Sequence, residues 1–132
     1  MKFTAHDMSD LTGKVVLITG ANSGIGFTAA SAFAAKGARV VFACRNIEKA
    51  EVAMGDIRKV HKDADLIFIE LDIGSLKSVK EFVEKVKVQE TKIDILVNNA
   101  GIGFVEERKI TEDGFELTMA TNHFGHFALT GQ

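Results

Sequence analysis

The sequence of 132 residues has one cysteine, Cys44, and contains no tyrosine. A single thiol excludes an internal disulfide and a cysteine-based zinc site. No run approaches the ~18 uninterrupted apolar residues of a membrane span, and residues 1–14 lack the apolar core of a secretory signal. The net charge of −2 offers no basic field for nucleic acid. These absences predict one intracellular, cytoplasmic globular unit with no membrane span and no nucleic-acid partner.

The most informative feature that is present is a glycine-rich stretch, VVLITGANSGIG, at residues 15–26. Its four leading apolar residues predict a short buried strand, followed by a turn and a helix that begins near Gly24 or Ile25. Gly20, Gly24 and Gly26 lack Cβ, so the backbone can approach a bound phosphate closely. The amides and dipole of the first helical turn favour an anion there. The stretch therefore predicts a pyrophosphate site, although its spacing also suits a plain strand-to-helix turn.

The rest of the chain alternates apolar strand patterns with amphipathic helix patterns. Residues 1–13 are predicted to be a loose polar lead-in, and residues 14–132 to belong to one domain. The first helix is expected to stop at Lys36 and Gly37, and further strands are expected at 39–44, 66–71 and 93–98. Helices are expected from an Asn46 cap to about Val60, after a Ser75 cap, and from around Phe115.

This alternation predicts an α/β fold with a Rossmann-type, doubly wound parallel sheet. Right-handed crossovers place the first two helices on one face of the sheet and the third on the other. A strand order of 3-2-1-4 would put a ligand beyond the carboxyl ends of strands 1 and 4. No fifth strand follows, so we expect an incomplete sheet from a fragment or truncated product, whose open strand 4 edge could self-associate.

Apolar residues at helical spacing define the predicted buried faces of the three helices. They are Ile25, Ala29, Ala32 and Phe33 in the first, Ala50, Ala53, Ile57 and Val60 in the second, and Leu76, Val79, Phe82, Val83 and Val86 in the third.

A second motif, N-N-A-G at residues 98–101, follows the fourth strand. Together with T-G-A-N-S-G-I-G it resembles the short-chain dehydrogenase/reductase family, and N-H-F-G-H-F at 122–127 resembles that family's retinol dehydrogenase-like branch. The resemblance implies the N-terminal, cofactor-binding half of an oxidoreductase that acts on carbonyl or alcohol substrates such as retinoids or lipid aldehydes. It implies cofactor contacts by Gly20, Asn22, Ser23, Gly24, Ile25, Gly26, Asn99, Ala100 and Gly101, with Asn98 mainly structural.

The end of the second strand indicates which cofactor is preferred. In dinucleotide folds an acidic residue there binds the ribose 2′-hydroxyl, whereas a nearby arginine suits a 2′-phosphate. Here Cys44 is followed by Arg45 and Asn46, so no carboxylate repels the phosphate and a guanidinium can pair with it. NADP is therefore favoured over NAD. The alternative is that Arg45 is simply an exposed arginine at the end of the strand. Cys44 itself is more typical of a small hydrophobic core residue than of a reactive thiol.

Asp72 and Ile73 lie at the end of the third strand. The resemblance implies that they flank the adenine of the cofactor. An aspartate before Gly74 and Ser75 is equally typical of an ordinary turn or helix start, and both interpretations stay open.

The resemblance also assigns a catalytic role to Asn122, which in the family holds a water that relays protons to a lysine. From the residues alone, an asparagine in mid-helix suggests a kink or a bound water. His123 and His126 could be considered as substitute acids or metal ligands, but two imidazoles alone make a poor site, and surface or core histidines are the simpler interpretation. No metal site is predicted.

The absent tyrosine matters most for function. In the family that the chain resembles, the tyrosine of a Y-x-x-x-K pair protonates the alkoxide with the help of a serine, and the catalytic serine, tyrosine and lysine are all absent here. Because this pair is missing, we expect the chain to be inactive on its own. Two function classes remain open: the NADP(H)-binding part of a short-chain oxidoreductase, and a non-catalytic nucleotide-binding or interaction module. A Rossmann-like methyltransferase fits poorly, because it explains neither N-N-A-G nor Arg45.

Overall fold

A computed structural model describes residues 4–103 and 105–132. Its parallel sheet consists of β1 (Val15–Thr19), β2 (Arg39–Cys44), β3 (Leu66–Glu70) and β4 (Ile95–Val97), arranged in the order β3-β2-β1-β4. The predicted fold class and strand order are therefore confirmed. β1 is buried at all five positions because β2 and β4 pair with its two edges and helices cover both of its faces.

Helices α1 (Gly24–Ala35) and α2 (Ile47–Val60) pack on one face of the sheet, and α3 (Leu76–Gln89) packs on the other, as predicted. A composite helix then runs from α4 (Leu117–Met119) through a π-helical turn (Ala120–Phe124) into α5 (Gly125–Thr130). It lies on the α3 face, where Leu129 is buried in the core. Within the described residues, no helix has the length and apolar character needed to cross a membrane.

The predicted helix caps form for α2 and α3. Asn46 Oδ1 accepts a 2.8 Å hydrogen bond from the Lys49 amide, and Ser75 Oγ accepts one from the Ser78 amide.

The composite helix begins two residues later than predicted, at Leu117. Phe115 still belongs to a turn, because its carbonyl accepts a hydrogen bond from the Thr111 amide. The Glu116 carboxylate then caps the helix by accepting from the Thr118 and Met119 amides.

The predicted buried face of α1 is wrong at its first position. Ile25 is 83% exposed, and the fully buried residues are Gly26, Ala30 and Ala34, one position further along. Gly26 is the buried residue in this turn because it has no side chain and can therefore pack directly under the glycine loop. Of the other predicted residues, Ala29 and Phe33 pack against the core while partly exposed, and Ala32 is also partly exposed.

Two predicted core positions at helix ends are exposed. Val60, the last residue of α2, is 74% exposed, and Met54 is buried in α2 instead. Leu76, the first residue of α3, is exposed as well. Both residues lie at a helix end, outside the part of the helix that packs against the core.

Strand and lead-in boundaries also differ from the prediction. β3 ends one residue early, and β4 is three residues long because only 95–97 pair with β1. The lead-in prediction for 1–13 falls partly on residues 1–3, which lie outside the described residues. From residue 4 onward the lead-in is attached rather than loose, since the Leu11 amide donates to the Lys36 carbonyl and Leu11 packs against the core.

Candidate functional site

A cavity of about 1130 Å³ opens at the carboxyl ends of the strands, where the switch point between β1 and β4 was predicted. Single ligand pockets usually measure about 300–1,000 Å³, so an extended ligand fits. The structure brings eleven of the predicted cofactor residues to its wall, namely Gly20, Asn22, Ser23, Ile25, Arg45, Asn46, Asp72, Ile73, Asn99, Ala100 and Gly101. Gly24 and Gly26 are not among the lining residues.

Gly20 and Gly26 form the closest packing in the site. Gly20 has φ +66°, and a Cβ there would lie 3.0 Å from the Ala100 Cα. A Cβ on Gly26 would overlap the Gly20 carbonyl oxygen and lie 2.5 Å from Asn99 Nδ2. Gly26 therefore lets α1 pack under the loop, whereas Gly20 lets the loop pass beside Ala100.

Asn99 joins the two strand ends that flank the cavity. Its Nδ2 donates to the Thr19 carbonyl at 2.9 Å and to the Gly20 carbonyl at 3.3 Å. This is the predicted bridge between strands 1 and 4. Asn98 instead donates from Nδ2 to Thr130 Oγ1 at 3.1 Å and so ties the loop to α5.

The rim of the cavity beside β2 carries two cations. Arg45 and Lys49 both line it and are exposed. Among residues 4–103 and 105–132, neither side chain donates a hydrogen bond or joins an ion pair. Lys49 was not predicted, although its position three residues after the Asn46 cap places it in the first turn of α2, close to Arg45.

Cys44 lies in the same wall but is a core residue. It is 5% exposed, and burial raises the pKa of its thiol to about 11, against the smaller opposing effect of the Ala21 and Asn22 amides. The thiol is therefore protonated near neutral pH and adds no negative charge to the rim, as the sequence interpretation required.

Asp72 stabilises the turn after β3, which is one of the two interpretations that the sequence allowed. Its Oδ1 accepts a 3.0 Å hydrogen bond from the Gly74 amide, and its own amide donates to Ser78 Oγ. It also lines the cavity beside Ile73, so the turn role and a ligand contact are compatible.

Asn122 lies in the π-helical turn, which accounts for an asparagine in mid-helix. Its Oδ1 accepts from the Ile102 amide at 2.9 Å, and its Nδ2 donates to the Ile102 carbonyl at 3.0 Å. The side chain thereby attaches the end of the N-N-A-G loop to the helix. It does not line the cavity, and its relation to a catalytic water stays a prediction.

Thr19 and His126 form a buried pair that sequence reasoning missed. Thr19 Oγ1 and His126 Nε2 are 2.8 Å apart, and both residues are buried. His126 is thus a core histidine, and burial lowers its pKa against the opposing effect of the Asn122 carbonyl. His123 is exposed. In the described part of the chain no group of three or more possible metal ligands comes together.

Comparison with known proteins identifies the scaffold. A family model described as short chain dehydrogenase matches residues 14–132. The chain belongs to this family. Members of the short chain dehydrogenase family bind a nicotinamide cofactor and act on small-molecule substrates.

Named relatives confirm the resemblance to retinol dehydrogenases. Retinol dehydrogenase 12 of Mus musculus is 45% identical over 120 residues, which cover 91% of this chain and 38% of that protein. Retinol dehydrogenase 13 of Homo sapiens is 44% identical, with 91% of this chain and 36% of that protein covered. The chain therefore spans less than two fifths of the length of these relatives.

Solved structures show the same fold. A protein from Mycobacterium Paratuberculosis has a TM-score of 0.85 and 39% identity, and the match covers 98% of this chain and 45% of that one. A metagenomic short-chain oxidoreductase in complex with NADP has a TM-score of 0.80 and 28% identity, with 93% and 56% covered.

Proposed function

We propose that residues 14–132 form the N-terminal part of a dinucleotide-binding domain, and that this part binds NADP(H) for a short-chain oxidoreductase. The observation that carries the proposal is the pair of exposed cations, Arg45 and Lys49, at the cavity rim that follows β2. The proposed substrates are carbonyl or alcohol compounds of the retinoid or lipid aldehyde type, in line with the names of the retinol dehydrogenases that the chain resembles.

The shape of the cavity supports a dinucleotide. Gly20 and Gly26 make a cradle that any Cβ would fill, and Asn22 and Ser23 line the cavity just before α1 begins. Amides at the start of a helix of 12 residues suit a diphosphate, so no cation is needed at that point. The N-N-A-G loop packs beside Gly20 and lines the cavity with residues 99–101, and Asn122 attaches that loop to the helix.

The charges at the rim support a 2′-phosphate. An acidic residue at the Cys44 position would bind a ribose hydroxyl and repel a phosphate, but the protonated thiol does neither. The Arg45 guanidinium can pair with phosphate oxygens at two points, and Lys49 adds a second positive charge. Both are free of protein partners among residues 4–103 and 105–132, so no ion pair has to break when a phosphate binds.

Nicotinamide binding is tested by calorimetry with NADPH and NADH on the 132-residue chain. Arg45→Ala should weaken NADPH binding about 10- to 100-fold, the size of a lost charge-assisted pair, and change NADH binding less than about 3-fold. Lys49→Ala should show the same selectivity with a smaller loss. Lys80→Ala, an exposed lysine on α3, is the matched control and should bind like the unmodified chain. Equal losses for both cofactors would contradict the proposed preference.

Catalysis is a separate expectation. A bound nicotinamide supplies a hydride, but carbonyl reduction also needs a proton donor, and the chain has no tyrosine for that role. NADPH oxidation with retinal or an aliphatic aldehyde should therefore stay at background, although NADPH binds. Turnover above background would show that another group donates the proton.

The second candidate is a nucleotide-binding module that associates through β4 and performs no catalysis. It is favoured by the missing tyrosine and by the position of β4, which pairs only with β1 within the described residues. Sedimentation of the chain with and without NADPH distinguishes the two. A monomer at all concentrations would remove this candidate, and a dimer would favour it.

A further inference from the structure

The Thr19 hydroxyl is the meeting point of three segments. It accepts hydrogen bonds from the Asn99 and Ala100 amides, both at 2.9 Å, and lies 2.8 Å from His126 Nε2. The Val97 carbonyl is more distant, at 3.4 Å. Thr19 itself has no exposed surface, so water cannot replace a lost partner.

The number of hydrogens on this hydroxyl favours one protonation state of His126. A threonine hydroxyl has one proton and two lone pairs. The two amides use the lone pairs, so the proton is left to be donated, and His126 Nε2 at 2.8 Å is a nearer acceptor for it than the Val97 carbonyl at 3.4 Å. A ring that accepts this hydrogen bond at Nε2 is neutral and carries its own proton on Nδ1. Burial, which lowers the pKa of His126, also favours the neutral ring, against the smaller opposing effect of the Asn122 carbonyl.

His126 is the middle member of a row on the composite helix, formed by Asn122, His126 and Thr130. Each member holds the loop of residues 98–102. Asn122 bonds both main-chain groups of Ile102, His126 reaches the loop amides through Thr19, and Thr130 accepts from Asn98. Of the three, only His126 is buried.

We propose that His126 is a positioning residue: as the acceptor of the Thr19 proton, it fixes the N-N-A-G loop against the helix that carries Asn122 and so sets the wall of the cofactor cavity. The proposal rests on the proposed function, because its consequence is cofactor affinity. His126 acts through Thr19 and makes no contact with the ligand itself.

Protonation of the ring should loosen this arrangement. A charged imidazole would make Nε2 a donor, and Thr19 could then accept from it only by releasing the Asn99 or Ala100 amide. The groups that surround the ring do not favour the charge. The ring is buried and bonds to the Thr19 hydroxyl, and His123 on the same helix is exposed. The core on this face of the sheet contains the apolar α3 residues Val79, Phe82, Val83 and Val86. No carboxylate in the described part of the chain pairs with His126.

The first test needs no cofactor. Long-range nitrogen–proton NMR of the 132-residue chain at pH 7.5 should show His126 with its proton on Nδ1 and Nε2 unprotonated. As the pH falls toward 5, the Asn99 and Ala100 amides should shift together with the ring signal. A ring that is protonated on Nε2 at pH 7.5 would overturn the proposal.

The second test measures NADP⁺ affinity between pH 7.5 and 5 in three variants. His126→Gln keeps an acceptor but cannot titrate, so we expect near-normal affinity at pH 7.5 and a flatter pH profile. His126→Leu removes the acceptor and should weaken NADP⁺ about 5-fold at every pH, the size of one neutral hydrogen bond. His123→Gln, one turn away and exposed, is the control and should keep the profile of the unmodified chain.

The 2′-phosphate of NADP⁺ also titrates in this range, but it does so equally for every variant and cancels when variants are compared. Identical profiles for the unmodified chain and His126→Gln would overturn the inference while leaving the proposed function intact. Absence of NADP⁺ binding at every pH would instead contradict the proposed function, and the NMR test of the Thr19 and His126 pair would still decide the hydrogen-bond geometry.

Discussion

The two walls of the cavity differ in packing: the inner wall is close-packed and hydrogen-bonded, whereas the outer rim carries exposed cations. The inner wall is lined by Gly20, Asn99 and Ala100 and is backed by the buried Thr19 and Gly26. In this region polar groups bond to one another and no space remains for an added methyl. The outer rim consists of Arg45, Asn46, Lys49 and Asp72. There the carboxyl and amide oxygens serve local turns, and the cations extend into solvent.

This difference separates stability from ligand choice. A change in the inner wall disturbs packing and buried hydrogen bonds, so it should affect the folded state before it affects any ligand. Replacing Arg45 or Lys49 in the outer rim removes a charge that no other described residue pairs with, so it should affect only what binds. The predictions that follow test this separation in order of expected effect on stability.

The largest effect is expected for Gly26→Ala. The new methyl would overlap the Gly20 carbonyl oxygen, so α1 or the loop must move, and overpacking of this kind costs about 3 kcal/mol of unfolding free energy. Gly55→Ala is the control, because nothing lies near its Cβ position in α2 and alanine should stabilise that helix by about 0.5–1 kcal/mol. Urea unfolding of both variants measures the contrast. Equal stability of the two variants would mean that Gly26 is not tightly packed under the Gly20 carbonyl.

Thr19→Val should follow. It keeps the shape of the side chain but leaves the Asn99 and Ala100 amides and the His126 ring without their common partner, which should cost about 2–3 kcal/mol. Thr28→Val, at an exposed position in α1, is the control and should change stability by less than about 0.5 kcal/mol. A small loss at Thr19 would show that the loop amides find other partners.

A smaller effect is expected at the opposite end of β1 and β4. Asp94 accepts from the Val15 amide at 2.9 Å and from Lys92 and Lys14, and the Val15 hydrogen bond contributes most to lowering its pKa to about 2. Its contribution to stability is complete above its unfolded pKa of 3.8 and is lost as the pH falls toward 2. Asp94→Asn should reduce the slope of unfolding free energy against pH in that window, measured by urea unfolding at several pH values. An unchanged slope would contradict this role.

The smallest effect is expected in the outer rim. Arg45→Ala should change the unfolding free energy by less than about 0.5 kcal/mol, because the side chain is exposed and bonds to nothing within the described residues. Thermal unfolding with and without NADPH measures both halves of the claim: equal melting temperatures without cofactor, and a smaller cofactor-induced rise for the variant. A large loss without cofactor would give the rim a structural role.

Much of the scaffold could be predicted because it depends on local pattern and chain handedness. Apolar runs located all four strands, the crossover rule assigned α1, α2 and α3 to their faces, and Asn46 and Ser75 marked helix starts. The site could be predicted to the extent that it lies at strand ends, which a parallel sheet brings together.

What failed depends on packing between distant segments. Ile25 fits a helical stripe, yet Gly26 is buried because the loop needs contact without a side chain. The Thr19 and His126 pair joins residues 107 positions apart, and no spacing rule links a strand-end threonine to a helical histidine. A buried hydroxyl opposite N-N-A-G was the available signal, because two loop amides there need an acceptor.

The π-helical turn at Ala120–Phe124 means that the composite helix contains more residues in one turn than a regular helix does. In a regular α-helix each residue advances the side-chain direction by about 100°. Shortening this segment by one amino acid would therefore swing everything downstream, including His126 and Thr130, away from residues 98–102. The extra residue in the π-helical turn thus sets the direction in which the side chains of α5 point, so that they face the loop of residues 98–102.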